Sequence, residues 1–282
     1  MPPPRSARRK TSSGAARSPI AILTDFGYRD HYVGVMKGVI ATIAPAARII
    51  DITHGIPAQS IIAGAIALKQ SWRYFPKRTI FLAVVDPGVG TARLPIAIET
   101  RAAACFVGPD NGILWQAAED AGIARIVELR APKYRLENVS STFHGRDIFA
   151  PAAAWLWSGT ALRSLGPSIA QMTQLEIPAP IRRGETLQGA IIYIDGFGNL
   201  VTNLDRETID TFAACFRPAQ LLVRIGNGAA MEILKAYGDA PSDVALATFG
   251  SFELLEIAVR DGSAASFFKS GEGAQVTIML SK

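Results

Sequence analysis

The sequence predicts an α/β domain with a mostly parallel sheet and flanking helices, followed by a smaller antiparallel β-barrel domain. Three observations carry this. Strand-like and helix-like segments alternate from residue 19 to about 176, the pattern of a parallel sheet. The stretch Glu176-Ile-Pro-Ala-Pro-Ile-Arg-Arg-Gly184 then breaks any regular element. Beyond it, short apolar runs are joined by Gly- and Asn-containing turns, as in small barrels. The expected division is a tail over 1–18, an α/β domain over 19–176, a linker over 177–184 and a β-barrel domain over 185–282.

Pro19-Ile-Ala-Ile-Leu-Thr24 reads as a buried strand, and residues 31–43 place Val35, Val39, Ile40 and Ile43 at helical spacing, closed by Pro45. A strand over 48–52, the turn His54-Gly-Ile-Pro57, a helix over 59–72 and a strand over 78–85 follow. Further strands fit 96–98, 104–107 and 123–129, and a helix fits 148–157. In the second half, strands fit 187–194, 200–204, 220–225, 231–234, 253–259 and 275–280. There is no internal repeat.

Composition excludes several classes. Of 282 residues, 49% are hydrophobic and 19% charged, enough apolar material for a core and too much for global disorder. No apolar run reaches the roughly 18–20 residues of a membrane-spanning helix. Two cysteines, Cys105 and Cys215, stand far apart and fit a reducing compartment. The net charge of +5 resides in Arg5, Arg8, Arg9, Lys10 and Arg17, so the body is neutral and offers no dedicated nucleic-acid surface. The tail lacks the apolar stretch of a secretory signal and reads as an unstructured extension on a cytoplasmic protein.

In open parallel sheets, ligands bind beyond the carboxyl ends of the strands. Asp25 follows the first strand and Asp86 the third, so both face one crevice. In Val85-Asp-Pro-Gly-Val-Gly-Thr-Ala-Arg93 a Pro-Gly turn can return Arg93 toward Asp86 as a carboxylate–guanidinium pair. Alone, that pair reads equally as a staple for its loop. His144, in Thr142-Phe-His-Gly-Arg-Asp147, precedes a helix, with Gly145 beside it to let a ligand approach. His54 and His31 are weaker candidates, and no two histidines have metal-ligand spacing. In Gly108-Pro-Asp-Asn-Gly112, Asp110 or Asn111 is a helix cap; Asp195-Gly-Phe-Gly-Asn199 is a hairpin turn.

Taken in order, Thr24-Asp-Phe-Gly27, Ile52-Thr-His-Gly-Ile-Pro57, Val85-Asp-Pro-Gly-Val-Gly-Thr91, Gly108-Pro-Asp-Asn-Gly112, Phe143-His-Gly-Arg-Asp147 and Asp195-Gly-Phe-Gly-Asn199 resemble the S-adenosyl-L-methionine (SAM) hydrolases. These adenosine-forming enzymes are also called SAM hydroxide adenosyltransferases, and are relatives of the SAM-dependent fluorinase and chlorinase. The resemblance covers everything after the tail. It implies an N-terminal α/β domain, a C-terminal β-barrel, and a homotrimer with substrate bound between subunits. SAM is the substrate, and no cofactor or metal is implied. The family's Asp–Arg–His set falls on Asp86, Arg93 and His144, and its ribose-binding aspartate on Asp25. The C-terminal substrate contacts fall on Asp195, Asn199, Ser251 and Glu256, with the backbone near Val259 holding adenine.

The resemblance implies attack of water at the ribose C5′, with neutral methionine leaving. Asp86 orients the water, Arg93 fixes Asp86 and favours hydroxide character, and His144 is the proton acceptor. Phe143 and Phe197 wall the pocket or pack in the core. Two rival readings are a halide adenosyltransferase and a non-catalytic adenosine or SAM sensor. Asp86 stands where the halogenases carry a tyrosine, and a carboxylate there repels halide. Gly145 replaces the fluorinase serine, and residues 91–105 leave no room for the fluorinase insertion. A third, structural reading treats every motif as a turn.

Overall fold

A computed structural model describes residues 18–216 and 220–281. It divides into two compact units, one ending at Gln174 and the other beginning at Leu175. Apart from Ser18, the expected unstructured tail lies outside the described residues.

The first unit is built on β1 (Ile20–Thr24), α1 (Tyr32–Ile43), β2 (Ile49–Thr53), α2 (Ile61–Ser71), β3 (Ile80–Val84), β4 (Pro95–Thr100), β5 (Cys105–Pro109), α3 (Trp115–Asp120), β6 (Ile123–Glu128) and α4 (Ala150–Trp157). The sheet order is β2-β1-β3-β5-β4-β6. Strands β2, β1, β3 and β5 pair in parallel, and β4 runs antiparallel to both its neighbours, so the sheet is mixed. β1 and β3 are buried at every position, as their unbroken apolar runs require of central strands covered on both faces. The core packs Ile22, Leu82 and Val84 against Met36, Ile40 and Phe149.

Several details differ from expectation. α1 starts at Tyr32 with His31 as its cap, and buries Val33, Met36 and Ile40; the predicted Val35, Val39 and Ile43 are half-buried flanks of that stripe. The helix expected from Ile148 begins as a π-helical turn over Gly145–Phe149 and becomes α-helical at Ala150. Such turns widen a helix locally and recur at functional sites. α3 follows the Gly108–Gly112 turn without a side-chain cap; its N-cap is Leu114 rather than Asp110 or Asn111.

The second unit contains β7 (Ile181–Arg183), β8 (Thr186–Ile194), β9 (Leu200–Asp205), α5 (Arg206–Ala214), β10 (Leu221–Ile225), β11 (Met231–Glu232), β12 (Ala245–Phe249), β13 (Leu254–Val259), α6 (Ala264–Phe268) and β14 (Gln275–Leu280). The order β11-β10-β14-β8-β9-β13-β12 is antiparallel throughout, and β7 pairs with β8. A bridge from Ile233 to Ala247 joins the two ends, and Leu234 N–H donates to the Ala247 carbonyl at 2.8 Å. The sheet is therefore a nearly closed barrel, which leaves little open edge. Its interior holds Ile191, Leu200, Val223, Ile257 and Ile278. β7 occupies part of the expected linker, where Ile181-Arg182-Arg183 forms a hairpin with β8. The sequence reading missed α5, which Asp205 caps by accepting from Thr208 N–H at 2.7 Å, and α6, which Ser263 caps. It missed β12 too, a short strand following Asp243 at φ 60°.

Candidate active site

β1 and β3 pair in register to Thr24 and Val84, so their carboxyl ends release Asp25 and, after Val85, Asp86 on one edge of the sheet. The loop after β3 then doubles back. Arg93 Nε donates to Asp86 Oδ1 at 2.8 Å, and Nη2 contacts Oδ2. This is the two-pronged geometry that only a guanidinium supplies. Both side chains are nearly buried, at 8% and 6% exposed.

The same Nη2 lies 2.7 Å from His144 Nδ1. The three predicted residues, spread over 59 positions of the chain, therefore form one connected cluster. Gly90 makes this approach possible. It sits at φ 79°, and a Cβ there would lie 2.4 Å from the Ser141 carbonyl, so only glycine lets the two loops close. Asn111 Nδ2 ties the Val85 carbonyl at 2.8 Å, just before Asp86. Phe149 packs under Arg93, with the guanidinium carbon 5.3 Å from the ring centre.

Arginine only donates, so His144 Nδ1 is an acceptor and the ring proton sits on Nε2. Burial lowers the His144 pKa from its ordinary value, Arg93 lowers it further, and Asp86 and Asp147 oppose this. The ring is neutral and presents an N–H. The geometry thus engages Nδ1 with Arg93 and leaves the ring N–H on Nε2. Among the described residues, Arg93 Nη1 is buried without a hydrogen-bond partner.

Asp25 accepts from Gln59 N–H through Oδ2 at 2.8 Å, while its buried Oδ1 has no partner among the described residues. Gly145 plays a part other than the expected one. It is buried, and a Cβ there would meet Phe143 at 3.1 Å and Met36 Sδ at 3.2 Å, so it admits core side chains rather than a ligand. Phe143 belongs to an aromatic cluster with Phe26 and Tyr32. Phe197 stands 83% exposed.

In the second unit, Asp195, Asn199, Ser251, Glu256 and Val259 all line one groove of about 910 Å³. Asp195 Oδ1 accepts from the Phe197 and Asn199 amides at 2.9 Å each, and Asn199 Nδ2 donates to Oδ2 at 2.9 Å. The hairpin turn is thereby rigid and its carboxylate fixed. Burial raises the Glu256 pKa, against the Tyr237 hydroxyl, which donates to Oε2 at 2.6 Å. Tyr237 also lines the groove. Sequence reasoning missed it, because Ala236-Tyr-Gly-Asp239 reads only as a turn. Tyr193, another lining residue, has its pKa pushed up to about 12 by burial.

Gly250 sets where the Glu256 carboxylate can lie, since a Cβ there would come within 1.8 Å of Oε1. Gly250→Ala is expected to displace the carboxylate from the Tyr237 hydroxyl and, with that charged hydrogen bond lost, to lower stability by about 1.5–3 kcal/mol. Thermal melts of the variant beside wild type check this.

Among the described residues, no group of three or more His, Cys, Asp or Glu side chains is placed to hold a metal ion. No helix among them is long and apolar enough to cross a membrane. Cys105 and Cys215 are unpaired.

The N-terminal domain of the SAM hydroxide adenosyltransferase family matches residues 20–166, and its C-terminal domain matches 189–277. The (R)-S-adenosyl-L-methionine hydrolase of Thermus thermophilus is 36% identical over 268 residues, covering 93% of this chain and 99% of that protein. A solved structure of an uncharacterised conserved protein from Thermotoga maritima is similar at TM-score 0.84 and 38% identity, covering 92% of this chain and 99% of that one. More distant is a fluorinase from an Actinoplanes species, 27% identical over 68% of this chain and 73% of that protein.

Proposed function

Because this chain belongs to the SAM hydroxide adenosyltransferase family, we infer that it hydrolyses SAM to adenosine and L-methionine by attack of water or hydroxide at the ribose C5′. The observation that carries the reading is the Asp86–Arg93–His144 cluster, with nearly buried Asp86 and Arg93 side chains, a half-buried His144 and an unpartnered Arg93 Nη1. The name of the Thermus relative specifies the R configuration at sulfur, and we extend that preference to this chain.

The chemistry asks little of the enzyme at the leaving group. Sulfonium departs as a neutral thioether: the C5′–O bond forms as C5′–S breaks, and the bonding pair passes to sulfur. The protein must hold one oxygen in line behind C5′, and positioning of that kind can supply roughly 7–11 kcal/mol. Arg93 Nη1 and His144 Nε2–H are the donors for that oxygen. Both favour its hydroxide form, whose proton goes to solvent. Asp86 fixes the Arg93 plane. The unpartnered Asp25 Oδ1 is suited to accept from the ribose hydroxyls. Asp195, Asn199, Ser251, Glu256 and the backbone near Val259 are the remaining substrate contacts. The assembly in this reading is a cytoplasmic homotrimer whose subunits share the substrate sites, and no cofactor takes part.

The test is product analysis after incubation with SAM. Equal amounts of adenosine and methionine, with the S epimer of a mixed substrate left behind, support the reading; methylthioadenosine, homocysteine or no product overturns it. Chloride or fluoride in parallel tubes addresses the halide alternative, in which an anion would have to sit beside the Asp86 carboxylate. Formation of 5′-halo-adenosine would replace the proposed reaction. Adenosine bound tightly with no SAM turnover would mark a sensor.

A further inference from the structure

Outside the reacting cluster, the first unit holds a second polar network, buried at Thr24 and His54 and partly exposed at Asp51, that the proposed mechanism does not use. Its centre is His54, 1% exposed. His54 Nδ1 lies 2.7 Å from Thr24 Oγ1. Its Nε2 lies 3.3 Å from Asp51 Oδ1, within ion-pair range but not aligned as a hydrogen bond, and among the described residues neither atom has a hydrogen-bond partner. Asp51 Oδ2 accepts from Lys37 Nζ at 2.7 Å and from the Tyr28 hydroxyl at 3.0 Å.

Hydrogen-bond directions follow from the chemistry of the groups. Thr24 Oγ1 accepts from Phe26 N–H at 3.2 Å, and its own proton is free to point at His54. Nδ1 then accepts, which leaves the ring proton on Nε2, facing the Asp51 carboxylate. Desolvation lowers the His54 pKa, against the opposing pull of Asp51, and so supports the neutral ring.

What this network surrounds is the loop that carries Asp25. Thr24 directly precedes Asp25. The His54 carbonyl accepts from Gly27 N–H at 2.8 Å, and the Tyr28 ring packs edge-on to the imidazole at 5.0 Å. The segment after β2 that begins at His54 also supplies Gln59, whose N–H holds Asp25 Oδ2. The 24–28 loop is thus tied to His54 through side chain, backbone and ring, while Asp25 Oδ1 stays unpartnered.

We propose that Thr24, His54 and Asp51 form a positioning relay that holds Asp25 in the orientation that accepts the ribose diol, so that His54 governs nucleoside affinity and not the bond-breaking step. This rests on the reading of Asp25 as the ribose contact.

Thr24→Val, nearly isosteric but without the hydroxyl, removes the link. It should raise the adenosine Kd and the KM for SAM about tenfold, with kcat within about threefold of wild type. Thr24→Ser restores the hydroxyl and should return both constants to within about twofold. Nitrogen NMR of wild type should show His54 as the Nε2–H tautomer, and amide exchange at Phe26 and Gly27 should quicken in Thr24→Val. If Thr24→Val fails to fold, Asp51→Asn, at a partly exposed residue, breaks the far end of the relay and should give the same split.

Unchanged adenosine affinity in the folded variants, or an Nδ1–H tautomer at His54, overturns the relay while leaving the hydrolase reading intact. A kcat that falls as far as affinity also overturns it. Wild-type protein that neither binds adenosine nor turns over SAM removes the ribose assignment, and the relay's purpose with it.

Discussion

Arg93→Met is expected to lower kcat for SAM hydrolysis by about 10²–10³-fold, the loss seen when a single preorganised donor to developing negative charge is removed. The variant also strands Asp86 as a buried carboxylate without its counter-charge. Breaking one side of such a pair destabilises a fold by about 3–5 kcal/mol, so the melting temperature should fall with the rate. Arg93→Lys separates the two effects. It keeps the charge near Asp86 and should recover much of the stability. It cannot present Nε and Nη2 to Asp86 while offering Nη1 elsewhere, so kcat should stay low. Single-turnover kinetics with adenosine detection, beside thermal melts of both variants, makes the comparison. Full activity in Arg93→Lys would show that a positive charge suffices and that the fork geometry is irrelevant.

Substitution of His144 tells donor from base. His144→Ala is expected to slow turnover about 10²-fold. His144→Gln is expected to keep about ten times more activity than the alanine variant, because its amide oxygen can accept from Arg93 Nη2 while its NH₂ donates as Nε2–H does. A general base would leave glutamine as inactive as alanine. The pH profile gives an independent reading. Burial and Arg93 lower the pKa of His144, so the neutral ring persists below the ordinary 6.5. Protonation puts a hydrogen on Nδ1 facing the Arg93 donor and breaks that contact. Activity is therefore full above pH 6.5 and lost as pH falls through a midpoint below it. In His144→Gln that acid limb should vanish. A limb centred above pH 6.5, or one that survives in His144→Gln, would contradict the assignment.

Legibility in the sequence varied with the range of the interaction involved. β1 and β3 were readable because unbroken apolar runs have few alternatives to a central strand. The Pro-Gly turn announced the return of Arg93 to Asp86, a contact seven residues apart. α5 left a usable trace in the Asp205 cap and in Ile209 and Phe212 at a three-residue spacing, and it was overlooked among strand-like runs. Tyr237 left none, since its partner Glu256 is nineteen residues away on another strand. The role of Gly145 was misjudged because whether a glycine faces a ligand or a methionine sulfur depends on packing alone.

Most strands and helices of the first unit and the turn motifs were contained in the linear chain, because turn chemistry and apolar periodicity act over a few residues. Protonation and direction were not. That His144 Nδ1 meets Arg93, that Arg93 Nη1 is buried without a partner among the described residues, and that His54 lies between Thr24 and Asp51 are properties of atoms brought within three or so ångströms by folding. Hydrogen bonding and desolvation decay over that same distance, so their outcome exists only once the strands and loops have met.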